Sequence, residues 1–292
     1  MRSQLKRVIV AIGTVVAVAT LWSATTRSVV GQSLPAGYKA PRTADGAPDL
    51  NGFWQAVNTA NWNLEEHGTA PAPYQNLVGE YLAQPAGLSV VEGGAIPYKP
   101  EALAKRNKYR QNRLNPDALL SENGRYDGSD PEAKCFQGGV PRATYIGFPF
   151  QIIQTKNKIL IAYEYAGSAR IVHLDQPRSA LLNIETWMGQ SVGKWEGDTL
   201  VVDAQWFSND VWLDRSGNFY GPLAHITERF TPASPFHLNY EATIEDPDVF
   251  TRPWKISMPL YRRVDPRMQL LEFQCIPLGE EYLLGKLVKK PK

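Results

Sequence analysis

From Phe148 onward the apolar residues recur at every second position, and this period constrains the fold more than any other feature of the chain. Residues 159–165, 170–174, 199–207, 225–230, 238–245, 254–264 and 269–275 read as strands. They are separated by turn clusters such as Glu196-Gly197-Asp198, Arg215-Ser216-Gly217-Asn218 and Asp265-Pro266-Arg267. Shorter runs at 52–57 and 150–154 bring the number of expected strands to nine. No helical pattern of useful length follows Gln154. A meander of this kind has to bury one face and protect its edges, and closure into an antiparallel up-and-down barrel does both. A two-sheet sandwich is the alternative. The aromatic and turn-forming content, with 8 Trp, 13 Tyr, 10 Phe, 22 Pro and 23 Gly in 292 residues, suits short strands joined by many turns.

The region before the meander is different in kind. Arg2, Lys6 and Arg7 precede an apolar run over residues 8–22, which is the length of a signal-peptide core and short of a bilayer span. Residues 1–31 therefore read as a signal peptide cleaved after Gly31, with an uncleaved anchor as the alternative, and the mature chain is expected in the periplasm or outside the cell. In that compartment Cys135 and Cys275, the two cysteines, are expected to pair as a disulfide; two buried thiols are the other reading. Residues 32–147 form a largely irregular region carrying the first strand. It holds a short helix around residues 74–83 and a polar surface helix over residues 100–114, with Pro100 at its start and basic residues toward its end. The region packs on the meander of residues 148–292 as one domain. With 31 Lys and Arg against 29 acids the net charge is +2, so neither nucleic acid nor, beyond the export signal, a membrane is expected as a partner.

Several motifs resemble a large family of exported bacterial proteins of unknown function. They are Pro48-Asp49-Leu50-Asn51-Gly52-Phe53-Trp54, the stretch Gly193-Lys194-Trp195-Glu196-Gly197-Asp198-Thr199-Leu200-Val201-Val202-Asp203, His225-Ile226-Thr227-Glu228-Arg229-Phe230, and Tyr240-Glu241-Ala242-Thr243-Ile244-Glu245-Asp246-Pro247. Pro141-Arg142 and Trp212-Leu213-Asp214 belong to the same likeness, which covers nearly the whole mature chain and brings no reaction with it. The Gly-x-Trp opening is also similar to the first strand of lipocalins, a fold-level analogy that implies a lipocalin- or calycin-like barrel.

Alternation says which charged residues share a face with the apolar ones. Glu228 falls with Ala224, Ile226 and Phe230, leaving His225 on the other face; Arg262 falls with Trp254, Ile256, Met258 and Leu260; Glu164 with Leu160 and Ala162; Arg170 with Val172 and Leu174. Interior charges have to pair or meet a polar ligand. One reading is an internal ion-pair network that fixes register. The other is a polar end to an apolar cavity, with Glu228, His225 and Arg262 as acid/base residues, and Trp195, Trp212, Trp254, Glu164 and Arg170 lining it. His225 could also work beside Asp203 or Asp214. The four histidines, His67, His173, His225 and His237, form no metal-ligand spacing, and the chain has neither a phosphate loop nor a Gly-x-Gly-x-x-Gly before a helix, so no metal or cofactor is expected. Gly189-Gln190-Ser191-Val192-Gly193 has nucleophile-elbow spacing without the helix an elbow requires. The leading expectation is an exported barrel that binds a small apolar or ring-shaped molecule in an aromatic-lined cavity. Alternatives are a cofactor-independent isomerase, lyase or hydrolase using the same pocket, and a structural or interaction protein.

Overall fold

Nine strands close into a barrel in the computed structural model, which describes residues 38–70, 83–112, 130–208 and 211–274. The strands are β1 (Gly52–Ala56), β2 (Phe150–Gln154), β3 (Lys158–Tyr163), β4 (Ala169–His173), β5 (Gln190–Glu196), β6 (Thr199–Gln205), β7 (His225–Ser234), β8 (His237–Glu245) and β9 (Trp254–Arg262). Each pairs with the next in sequence, and β1 pairs with β9 to complete the ring, so no edge is left over for aggregation. The helices are α1 (Pro100–Asn112) and α2 (Arg142–Tyr145). The described residues from Lys39 onward belong to one compact unit. The expected signal peptide, the expected helix up to Leu82, and Cys275, the expected partner of Cys135, lie outside the described residues.

Two features differ from the sequence reading. The ninth strand is not the stretch from Gln269: residues 269–274 are described and irregular, while Gln190–Glu196 is a strand. Its inward positions are Ser191, Gly193 and, at its end, Trp195, so a single large apolar residue marks the face and no alternation can be read. A Cβ on Gly193 would stand 2.7 Å from Val172 and 3.0 Å from Leu174, so the glycine is what lets the neighbouring strand's side chains close over it. Second, the meander is not wholly antiparallel. β4 and β5 run parallel, joined by a crossover of residues 174–189, and pair only at Val172 with Ser191 and His173 with Val192. This seam has the shortest register in the barrel.

Inward positions hold large side chains. Trp54, Phe150, Ile152, Ile159, Ile161, Leu200, Phe230, Tyr240 and Ile256 are all buried, and Tyr145, Phe207 and Tyr220 from the connections plug one end. The phenol of Tyr220 donates to Val140 O at 2.6 Å and that of Tyr145 to Leu213 O at 2.8 Å, so the plug is both apolar and hydrogen-bonded. α1 is more deeply seated than its polarity suggests: Ala102 and Tyr109 are buried, with Tyr109 stacked on Trp212 at 4.9 Å and edge-on to Phe219 at 5.3 Å.

At the opposite end the Gly-x-Trp opening has a mechanical explanation. Trp54 Nε1 donates to Leu50 O at 2.9 Å, and the guanidinium of Arg262 lies 4.3 Å from the centre of the Trp54 ring. Arg262 then donates to Asn51 O at 2.7 Å and to Pro235 O at 2.9 Å, tying the first strand's entry to the β7–β8 turn. Gly52 has φ 132°, and a Cβ there would fall 2.4 Å from the Arg262 guanidinium. Gly52→Ala is therefore expected to lower stability by about 1–3 kcal/mol in denaturant titrations through strain and displacement of Arg262; a change under about 0.5 kcal/mol would show that Arg262 is not held this way.

Candidate functional site

Three groups of charged side chains among the described residues bear on the expected site: one inside the barrel, one at its plugged end, and one on the outer wall where the crossover meets β6. Inside, Arg170 and Glu228 face one another from β4 and β7. Two guanidinium nitrogens donate to the two carboxylate oxygens at 2.5 and 2.9 Å, Tyr240 donates to Glu228 Oε1 at 2.8 Å, and Arg170 Nε donates to the Tyr163 hydroxyl at 3.1 Å. Both residues are buried. Burial pulls the Arg170 guanidinium pKa down, but Glu228 outweighs it and the net shift is upward; burial raises the Tyr163 and Tyr240 phenols. The group is a saturated ion pair, the register-fixing reading of these two residues.

The plugged end carries the second cluster, which alternation cannot reveal because its members sit in loops. Arg142, 1% exposed at the start of α2, donates to Asp130 through two nitrogens at 2.8 and 3.0 Å, to Glu132 at 2.6 Å and to Asn61 at 2.8 Å. Arg215 grips Glu132 in bidentate fashion at 2.6 and 2.8 Å and lies over Trp62 at 4.3 Å. Burial raises the Glu132 carboxyl, yet Arg215 and Arg142 overcome that and hold it at about 2. Beside it Asp214 is fully buried and accepts from the Leu64, Ser216 and Asn218 backbone N–H groups and from Asn218 Nδ2; burial pushes it up to about 6 against those donors. Pro141-Arg142 and Trp212-Leu213-Asp214 were visible as motifs, but no spacing joins them.

The third cluster is open to solvent. Asp203 on β6 accepts from His225 Nε2 and from Arg178. Arg178, on the crossover, also donates to Asp203 O at 2.5 Å and to Gln190 O at 3.0 Å, and lies 5.3 Å from the centre of the Trp206 ring. The side chains of Asp203 and His225 are about one-third exposed, at 34% and 35%. The Asp203 bond raises the His225 pKa; burial raises Asp203, but His225 and Arg178 hold it below its ordinary value. Trp206 ends β6 with φ 63°, a left-handed conformation that a bulky residue adopts only where its surroundings impose it. Its carbonyl accepts from Thr186 N–H at 3.0 Å, which anchors the crossover beside Trp206; the neighbouring Trp187 stacks on Phe136 at 5.0 Å and packs against the core.

The expected site residues thus separate. Glu228 and Arg170 meet inside, as alternation placed them. His225 does pair with Asp203, on the opposite face from Glu228, so the two do not share a site. Arg262 is not in a cavity: it lies past the last inward residue of β9 and closes the barrel end. Glu164 is not inward either. The buried set on β3 is Ile159, Ile161 and Tyr163, so Leu160, Ala162 and Glu164 face out, and Glu164 accepts from Leu271 N–H at 2.8 Å. Trp212 and Trp254 belong to the aromatic packing under α1 and beside Phe250, where Trp254 meets the Phe250 ring at 5.3 Å. Trp195 faces inward at the end of β5 and packs against the core while partly exposed. Among the described residues no group of three His, Cys, Asp or Glu side chains is arranged to hold a metal, and no helix is long and apolar enough to cross a membrane.

Comparison with known proteins finds no match: no family model, no curated protein and no solved structure matches the chain.

Two outcomes follow from the buried charges. Arg170→Met alone leaves Glu228 buried and unpaired and is expected to cost about 3–5 kcal/mol, whereas Arg170→Met combined with Glu228→Leu recovers most of it; a double variant as unstable as the single would contradict the ion-pair account. For Glu132 the folded pKa lies below the ordinary 4.5, so its contribution is complete above pH 4.5 and lost as pH falls toward 2. Across that window the parent protein should lose about 3 kcal/mol more than Glu132→Gln in denaturant titrations; parallel curves would refute it. Asp214 acts oppositely, its contribution being present below pH 3.8 and lost as pH rises through about 6.

Proposed function

We propose that this is an exported β-barrel protein that binds a small, ring-shaped, largely apolar molecule at the outer rim formed by Trp206, Arg178, Asp203 and His225. The single observation carrying this reading is the backbone of Trp206, held in the left-handed region with its ring beside a guanidinium and next to a solvent-reached Asp–His pair. What moves the reading from the interior to the rim is occupancy. The inward face is filled by aromatic and aliphatic side chains around a saturated ion pair, whereas the rim offers ring faces and polar groups to solvent together. Leu182, Ile184 and Leu223, 72%, 53% and 58% exposed, lie on the crossover and just before β7, the segments that flank the rim. Export rests on the basic start and apolar run of residues 1–31 and on the resemblance to an exported family.

Acid/base catalysis at the same place is the second reading, favoured by the Asp203–His225 bond, which fixes the imidazole and raises its pKa toward use as a proton donor near neutral pH. Anilinonaphthalene sulfonate, a fluorescent ring-shaped anion, serves as the probe. Binding is expected in the parent protein and lost in Trp206→Gly, while relief of backbone strain offsets lost ring packing so that stability changes by under about 1 kcal/mol. Equal probe binding by a folded Trp206→Gly protein would remove the rim from consideration. His225→Gln separates the two readings, because a binder shows only weaker probe binding through the lost rim contact, whereas an enzyme also loses its turnover.

A further inference from the structure

The connection between β1 and α1 holds a histidine that the fold has oriented and left without a partner. His67 and Gly87 exchange backbone hydrogen bonds at 3.0 and 2.9 Å, and Ala70 and Gln84 do the same at 3.1 and 2.9 Å, so the two segments run antiparallel. His67 is 8% exposed, and its Nδ1 lies 2.8 Å from Glu65 O. A carbonyl can only accept, so Nδ1 carries the proton and Nε2 presents a lone pair. Glu65 is itself fixed: one carboxylate oxygen accepts from Ile96 N–H at 2.9 Å and the other from Arg106 at 3.2 Å. His67 Nε2 is buried with no hydrogen-bond partner among the described residues, a rare state for an acceptor taken out of water.

A hydroxyl stands against that lone pair. A Cβ on Gly87 would fall 1.9 Å from Thr59 Oγ1, 2.5 Å from His67 Cε1 and 2.8 Å from His67 Nε2. Hydroxyl and ring nitrogen therefore border one space of methyl size, which only a glycine leaves open, and the backbone pairing of His67 with Gly87 fixes the approach. Thr59 is half-buried. A base whose proton is fixed on its far nitrogen by a third group, beside a hydroxyl, is the arrangement that activates an oxygen nucleophile; the contact between base and nucleophile often tightens only when substrate is bound. The chain around the pair is uncharged, with Val57, Asn58 and Ala60 near Thr59 and Ala86 and Leu88 beside Gly87, and Val57 and Leu88 are exposed. Neither segment offers a cation to a phosphoryl group, whereas the apolar side chains suit a neutral acyl group.

We propose that Thr59 is an acyl acceptor activated by His67, with small neutral carboxylic esters as its substrates. Thr59 Oγ1 bonds to the ester carbonyl carbon while its proton passes to His67 Nε2. The bond to the leaving oxygen then breaks, that oxygen takes the proton, and His67 returns to its neutral form with the acyl group held on Thr59 as an ester. The site is independent of the rim. p-Nitrophenyl acetate added to the full chain tests it, read as nitrophenol release in the first turnover and as the position of the acetyl group by peptide mass spectrometry. The parent protein is expected to show a rapid burst and to carry acetyl on Thr59. Thr59→Ser should keep both and Thr59→Val should lose both, while His67→Gln should slow the burst by about 100-fold or more. Acetylation of surface lysines should be the same in all four, and circular dichroism confirms that each is folded. A burst from Thr59→Val at the parent rate, acetyl found in the parent only on lysines or histidines, or a His67→Gln protein as fast as the parent would each overturn the proposal.

Discussion

One buried ion pair sets the register in which this barrel closes. β4 and β5 meet through two residue pairs in parallel, the weakest seam in the ring, and backbone pairing of that length does little to hold two strands together. Arg170 and Glu228 reach past it, since Arg170 sits on β4 and Glu228 on β7, beyond β5 and β6. A slip of one residue on either strand would turn one member outward and strand the other in the core, where an unpaired charge is costly. Every oxygen of Glu228 is engaged, by Arg170 and Tyr240, so the pair is satisfied in one register only. Its role is to select that register. A net gain in stability over an apolar core does not follow from its presence.

Other arginines repeat the device elsewhere. Arg262 locks the entry of β1 to the β7–β8 turn over Trp54, Arg142 and Arg215 fasten the connections that plug the far end, and Arg178 pins the crossover to the backbones of β5 and β6. A planar guanidinium with five donors is suited to all four places, because it can satisfy several carbonyl or carboxylate oxygens while its face lies on a ring, as it does over Trp54, Trp62 and Trp206. The interior is thereby committed to holding the fold.

Alternation carried eight of the nine strands, the barrel and the inward facing of Glu228 and Arg170, because a single register of two fixes the face of every residue on a long strand; the total of nine matched only because 269–275 stood in for β5. It failed at the ends. Glu164 lies one step past the end of β3, whose two alternating sets are both apolar, so Leu160 and Ala162 were an equal match to the wrong face, and Arg262, the last residue of β9, keeps the face of Leu260 but sits at the barrel end over Trp54. β5 was missed because two of its three inward residues are Ser191 and Gly193, the glycine letting Val172 and Leu174 close over it, which leaves Trp195 as the one large apolar residue on that face. The plugged-end cluster was out of reach altogether, since Asn61, Asp130, Arg142 and Asp214 come together only through tertiary folding.

Burial alone does not separate a structural charge from a chemical one; saturation and access do. A proton-transfer group has to exchange its proton with a ligand or with water while the protein stays folded. For Glu228 that would mean breaking bonds to Arg170 and Tyr240 inside a closed barrel, leaving a bare guanidinium in the core. For His225 it requires nothing beyond solvent already in contact with a side chain one-third exposed, with Asp203 holding the ring in place. The sequence reading put Glu228 first because it looked at the inside of the barrel, where charge is rare. The proposed function takes the reverse order: where interior charges are spent on register, solvent-reached charges on the outer wall are the ones a ligand can meet, and here they stand beside Trp206, whose backbone the fold holds in the left-handed region.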